Sequence, residues 1–201
     1  MAPLQRLLLG SVLIWLGGSQ IGNGQDITIP SDGCSWRTEI YGHINQCDGN
    51  EVVVGSCGSG DGRDCNGLTH QLLCCDLDNF YYSNCLEFYG GYGVHLSCPE
   101  LTKDPDTMVE AACGSEKGLD CHNGSSHSVK CCHGHQFDGS RVGSSGECYW
   151  LYGGRGQPVQ CTRNDEAVFG RCGSGQAARC TNNQWHGIQC CRLIIVQGED
   201  Q

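Results

Sequence analysis

Short apolar runs, each bounded by Gly, Asp, Asn or Ser, mark the chain from residue 51 onward. Three of them, Glu51–Ser56 (EVVVGS), Met108–Ala112 (MVEAA) and Ala167–Arg171 (AVFGR), follow turn-prone stretches such as Asp48-Gly49-Asn50 and read as strands. Three more share the form H-x-[LVI]-x-C-C: His70–Cys75, His127–Cys132 and His186–Cys191. They read as partner strands, joined to the first three by Gly/Asp/Asn/Ser-rich loops. Successive side chains of a strand point to opposite faces, so the two adjacent cysteines of each closing run serve two different bridges. No segment carries a sustained helical stripe. The pattern predicts an all-β chain.

One apolar run has another character. Leu7–Leu16 follows Arg6 and precedes small residues at Gly17–Ser19 and Gly22–Gly24. This is the layout of a secretory signal over residues 1–24, with cleavage after Gly24. The run is too short to span a bilayer, and membrane insertion is not expected.

Cysteine changes the picture most. The 201 residues include 18 cysteines, an even number that permits nine bridges and places the chain among the disulfide scaffolds of oxidising compartments. They fall in three sets of six: Cys34, Cys47, Cys57, Cys65, Cys74, Cys75; then Cys85, Cys98, Cys113, Cys121, Cys131, Cys132; then Cys148, Cys161, Cys172, Cys180, Cys190, Cys191. The gaps x12 (first to second) and x7 (third to fourth) are identical in all three. Such self-similarity predicts three tandem repeats, 34–75, 85–132 and 148–191, after a lead of 25–33 and before a strand and tail at 192–201. The predicted bridges lie within each repeat: third to fourth cysteine, with the first and second each taking one member of the Cys-Cys pair. Six cysteines allow fifteen pairings, and spacing alone leaves the choice open. The three repeats are expected to pack as one pseudo-threefold domain, with three separate small modules as the alternative. In the connections, Phe80, Tyr81 and Tyr82 (within 76–84) read as packed, and 133–147 as an exposed loop.

Charge narrows the function. With 12 basic against 22 acidic residues the net charge is −10, so nucleic acid is not an expected partner.

The layout of a valine strand, a Gly/Ser loop and a segment Arg179 to Gln184-Trp185 closing on Cys190-Cys191 resembles dermatopontin and its invertebrate relatives. Repeat 1 offers Arg63-Asp64 and Cys74-Cys75 in the same order. The organisation also resembles the vitelline-membrane outer-layer proteins, which are three-repeat β-prisms, and the Cys-Cys repeats are similar to those of galaxins. These resemblances imply an extracellular protein that is not an enzyme.

Candidate sites are few. His70, His127 and His186 recur in register, and three imidazoles converging on an axis would make a zinc shell. The plainer reading keeps each in its own strand, bonded to a carbonyl or facing water, with no metal and no cofactor. The acidic residues Asp61, Asp64, Asp76, Asp78, Asp104, Asp106, Asp165 and Glu166 lack the spacing of a calcium loop and read as a solvated surface. Aromatics cluster after the first cysteine of each repeat. Trp36, Tyr89, Trp150 and Tyr152 are candidate ligand contacts, and their competing role is core filling. Asn123-Gly124-Ser125 is a glycosylation sequon. No G-x-S-x-G elbow or H-E-x-x-H motif is present. The expectation is a secreted, non-catalytic structural or binding protein of an extracellular, coat or biomineral matrix. Its partners would be matrix polymers, glycans or itself. The alternative is a soluble lectin-like recognition or defence protein.

Overall fold

Each valine-rich run pairs antiparallel with its closing run in the computed structural model, which describes residues 25–39, 42–58, 65, 70–114, 121–173 and 180–196. The signal segment 1–24, Asp61, Asp64 and the tail end 197–201 lie outside the described residues. In chain order the strands are β1 (Gln25–Asp26), β2 (Cys34–Glu39), β3 (Ile44–Gln46), β4 (Glu51–Gly58), β5 (His70–Asp76), β6 (Phe80–Gly90), β7 (His95–Ser97), β8 (Thr107–Gly114), β9 (His127–Gln136), β10 (Arg141–Gly153), β11 (Val159–Gln160), β12 (Glu166–Gly173) and β13 (His186–Val196). One short helix, α1 (Cys98–Thr102), begins just before Pro99. The protein is all-β and disulfide-rich.

The pairs β4–β5, β8–β9 and β12–β13 share one irregularity: pairing skips Val54, Glu110 and Phe169. Each is a bulge three residues before the third cysteine of its set, and bulges bend and twist a strand. The aromatic stretch after each first cysteine forms a third strand on the other edge of the closing run, giving β2–β5, β6–β9 and β10–β13. The closing run is therefore central in each set, which accounts for the burial of His70–Cys75 along its whole length.

Every cysteine is bridged, and each set uses the same pattern: first to sixth, second to fifth, third to fourth. The adjacent cysteines do face opposite sides. Cys74 and Cys190 enter one apolar cluster, while Cys75 and Cys191 enter the other.

The three sets lend strands to one another in a closed cycle. β3 of the first set pairs with β8 of the second, β7 of the second with β12 of the third, and β11 of the third with β4 of the first. Inside this ring one cluster gathers Val53, Val109 and Val168 with Leu72, Val129 and Ile188. Complete burial of such a side chain is worth about 1.5–3 kcal/mol. These residues come in equal numbers from the three sets, so the chain builds a shared core rather than three separate modules. A second cluster of Phe80, Met108, Phe169 and Leu193 is sealed by Ile27 and Ile29 of the lead segment.

The connection 133–147 is not an exposed loop. His133–Gln136 ends β9, Arg141 begins β10, and the two form a hairpin with Val142 fully buried. Its Gly and Ser content hid the strand; a Cβ on Gly143 would overlap the Asp106 carboxylate. In the other connection Phe80 is buried, Tyr82 packs edge-on against it, and Tyr81 lies at the surface.

Candidate functional site

Two places gather chemically active side chains: the centre of the strand ring, and one outer face of the sheet that runs β10-β13-β12-β7.

The centre is built by glycine. Counting eight residues from the first cysteine of each set aligns Gly42, Gly93 and Gly156, with φ of 72°, 75° and 66°. Only glycine enters that region at no steric cost. Their N–H groups donate to the carbonyls of Gly114, Gly173 and Gly58 at 3.3, 2.8 and 3.0 Å, each belonging to a neighbouring set. The following residue turns its carbonyl toward a histidine. Val94 O lies 3.0 Å from His127 Nε2, and Gln157 O lies 2.7 Å from His186 Nε2. The His43 carbonyl faces His70 at the equivalent place but outside hydrogen-bond geometry, and both ring nitrogens of His70 lack a partner. Each ring also packs on the neighbouring set's glycine: His70 on Gly114, His127 on Gly173 and His186 on Gly58.

Arg171 stands among these rings. It occupies the position just before the third cysteine, where the other sets have Ser56 and Ala112. It is 3 % exposed, and its Nη1 donates to Cys113 O at 2.9 Å. Burial, and secondly the charge of Arg171, pushes His70 and His127 down to about 3. Burial pushes His186 down to about 4, with Arg171 adding to it and the Gln157 carbonyl opposing. All three rings are neutral at neutral pH. Among the described residues, the metal-type ligand sets whose atoms lie within 4.8 Å of one another are Cys47/Glu51/Cys74 and Cys85/Glu110/Cys132, whose cysteines are bridged. The three histidines are not brought together in that way.

The tightness of the ring makes one prediction. A methyl group on Gly153 would lie 2.6 Å from His186 Nε2 and 2.9 Å from the Gln157 carbonyl, whereas one on Gly91 meets nothing within 4 Å. Gly153→Ala is expected to lower stability by roughly 1–3 kcal/mol, the usual range for overpacking, and Gly91→Ala to leave it nearly unchanged. Denaturant midpoints of the two variants check this; equal midpoints would mean the histidine corner yields.

The outer face collects aromatics. Trp150 and Tyr152 lie two residues apart on β10, hence on one side of the sheet. Their rings stack with centroids 6.1 Å apart and planes 15° apart. Tyr152 lies over Gly187 on β13, where a Cβ would sit 2.6 Å from its Cδ1, so the glycine makes room for the ring. His95 arrives from β7 and stands edge-on to Trp150 at 4.6 Å. Its Nε2 is 3.1 Å from the Tyr152 hydroxyl and 3.4 Å from Thr181 Oγ1. Burial lowers the pKa of His95, against the pull of Glu100, and favours its neutral form. Close by, the Arg155 guanidinium lies 5.8 Å over the ring of Trp185, and the backbone N–H of Trp185 donates to Gly153 O.

The other two candidate aromatics lie elsewhere. Trp36 packs against the Ile27/Phe80 core cluster. The Tyr89 hydroxyl donates to Glu87 at 2.8 Å, and its ring tilts toward His122 at 6.1 Å. At the position of Trp36 and Trp150 the second set has Glu87, so the three outer faces differ in chemistry. Asn123 is exposed in a left-handed turn with φ 59°, open to a glycan. Among the acidic residues, Asp104 and Asp106 face Arg141, and Asp165 is paired by Arg163 and Arg192. Glu166 accepts from the Tyr149 hydroxyl at 2.6 Å.

His95, Thr181 and Arg171 escape a reading by cysteine spacing, because each is a single residue that its two counterparts do not share. Aligning the sets on the third cysteine isolates Arg171 against Ser56 and Ala112.

Comparisons with protein-family models, with curated proteins and with solved structures find no match for this chain.

Proposed function

We propose that the protein is a secreted, non-catalytic binding protein of an extracellular matrix or coat, and that its contact surface is the Trp150–Tyr152–His95 face. The nine bridges support an oxidising compartment, and no helix among the described residues is long and apolar enough to cross a membrane. The observation that carries the reading is the assembly of stacked rings, hydroxyls and a neutral imidazole from three chain segments on one sheet face. Flat apolar surface beside hydroxyl and imidazole groups suits the alternating faces and hydroxyls of a sugar ring, and aromatic anchors dominate binding energies. The ligand class is therefore glycan, as a matrix polymer. The second reading is a soluble lectin, and the same face favours it.

One experiment separates them. The oxidised, secreted protein is tested on a glycan array and on insoluble polysaccharide beads, beside Trp150→Ala and Trp36→Ala variants. Trp150→Ala is expected to weaken binding about 30-fold, corresponding to roughly 2 kcal/mol, with Trp36→Ala retaining wild-type binding. Capture on beads that free sugars do not reverse supports the matrix role. Saturable, sugar-competed binding makes it a lectin. Binding by neither route, or binding indifferent to Trp150, removes the aromatic face as a contact surface.

A further inference from the structure

One charge in the core has no counter-charge. Arg171 is 3 % exposed, and no carboxylate pairs with it among the described residues. Its recorded hydrogen bond goes to a neutral carbonyl, Cys113 O, and its Nε has no partner. A buried cation is costly to leave without a counter-charge, and buried polar groups in native proteins find protein, water or an ion. More orphans accompany it. Both nitrogens of His70, the Nδ1 atoms of His127 and His186, and the hydroxyl of Ser56 lack partners. Ser56 is fully buried at the position equivalent to Arg171.

Arg171 and the three histidines belong together. The charge of Arg171 acts on all three rings. Arg171 Nη2 and His70 Cγ both come within 3.4 Å of the point above Gly114 where a Cβ would sit. Water would satisfy the orphaned donors but leave the charge uncompensated. A monovalent anion does both, and the burial of every group restricts it to a small one. His127 and His186 already give their Nε2 atoms to carbonyls, so the free donors that lie together are the Arg171 guanidinium and a ring N–H of His70.

We infer that the centre of the strand ring is a binding site for a small monovalent inorganic anion of halide size, held by Arg171 and His70. The ion is structural: it completes the core that the three sets share. The inference stands apart from the glycan reading, because the outer face does not contain these residues.

Bromide tests it directly. Crystals of the full secreted protein soaked in sodium bromide, with diffraction recorded at the bromine edge, are expected to show an anomalous peak in contact with the Arg171 guanidinium and His70. In solution, exchanging gluconate for bromide or chloride at constant ionic strength is expected to raise the melting temperature, by mass action on the folded state. Arg171→Met should abolish that halide dependence. A wild-type crystal with no anomalous peak there, or with peaks only at the surface, overturns the inference. The wild-type crystals decide the matter even where Arg171→Met fails to fold.

Discussion

Acidification from pH 7.5 to pH 4.5 is expected to move the urea unfolding midpoint far downward while every disulfide stays closed. The cause is the three buried imidazoles. In the unfolded chain each takes a proton near its ordinary value of about 6.5. In the folded chain burial, reinforced by Arg171, holds His70 and His127 at about 3 and His186 at about 4. The folded values are depressed, so between them and 6.5 the unfolded state binds more protons, and stability rises with pH across that window. Their contribution is complete above about pH 6.5 and is lost as the pH falls toward the folded values. Each group changes stability by up to about 1.4 kcal/mol per pH unit, and three together by roughly 4. Over two pH units that approaches roughly 8 kcal/mol, comparable with a typical total stability of about 5–15 kcal/mol, so the midpoint falls steeply. Midpoints in urea at constant chloride, with near-ultraviolet dichroism as the probe, measure it. A midpoint that stays level down to pH 4.5 would show that the rings are protonated in the folded protein without cost, and that their burial has been misread.

This acid sensitivity comes from the arrangement around the centre. A proton on any of the three rings adds a second positive charge beside Arg171 in a site removed from water, where charges interact strongly. Carboxylates enter only lower. Arg141 and the Asp106 N–H help hold Asp104 below its ordinary value although burial opposes them, so its contribution is lost beneath the histidine window. The two events should separate in pH.

What the sequence reveals here is set by what is local. The strands Glu51–Gly58, Thr107–Gly114 and Glu166–Gly173 announce themselves by valines after a turn, and the paired cysteines at the end of each closing run announce two faces. The strand after each first cysteine does not. Tyr149–Gly153 has one side toward solvent and the other against Cys190 and Ile188, and its aromatics blur the alternation that would mark it. Segment 133–147 reads as a loop because Ser144, Ser145 and Gly146 interrupt it; the structure places a register irregularity there, between Ser144 and Cys148. Tyr41-Gly42 looks like the counterpart of Tyr89-Gly90 and Tyr152-Gly153, but equal spacing from the first cysteine aligns Gly42 with Gly93 and Gly156, and their shared positive φ supports that register. The strand exchange has no local signature at all. His95–Ser97 is three residues whose partner lies about seventy positions away, and such pairing is decided by the whole core. For the same reason the aromatic face is only half legible: Trp150 and Tyr152 stand out in the sequence, and His95 joins them through that exchange.

The exchange carries the second large prediction: the middle set does not fold alone. A chain of residues 76–147 holds six cysteines and every element needed for Cys85–Cys132, Cys98–Cys131 and Cys113–Cys121. If each set were a module, that chain would oxidise to those three bridges and melt cooperatively. Excision takes much more than the ends. β8 loses β3 from its edge, and β7 loses β12. Val109, Ala112 and Val129 lose Val53, Leu72, Val168 and Ile188. Phe80 and Met108 lose Phe169 and Leu193. His127 loses Gly173, against which its ring packs. A fragment of this size has at best roughly 3–5 kcal/mol from an intact core, and this one keeps six of the fourteen buried residues of the shared cluster. Bridges do not replace that core, because they act mainly by restricting the unfolded chain, at about 2–4 kcal/mol each. They bias the fragment toward compactness without giving its apolar strands a surface to cover them. Oxidative refolding should therefore yield a mixture drawn from the fifteen pairings, and denaturant should produce a gradual loss of signal. The full chain under the same conditions should give one product with one sigmoidal transition. A single native pairing in the fragment, with a sharp transition of its own, would make each set an autonomous module and reduce the strand exchange to a docking contact.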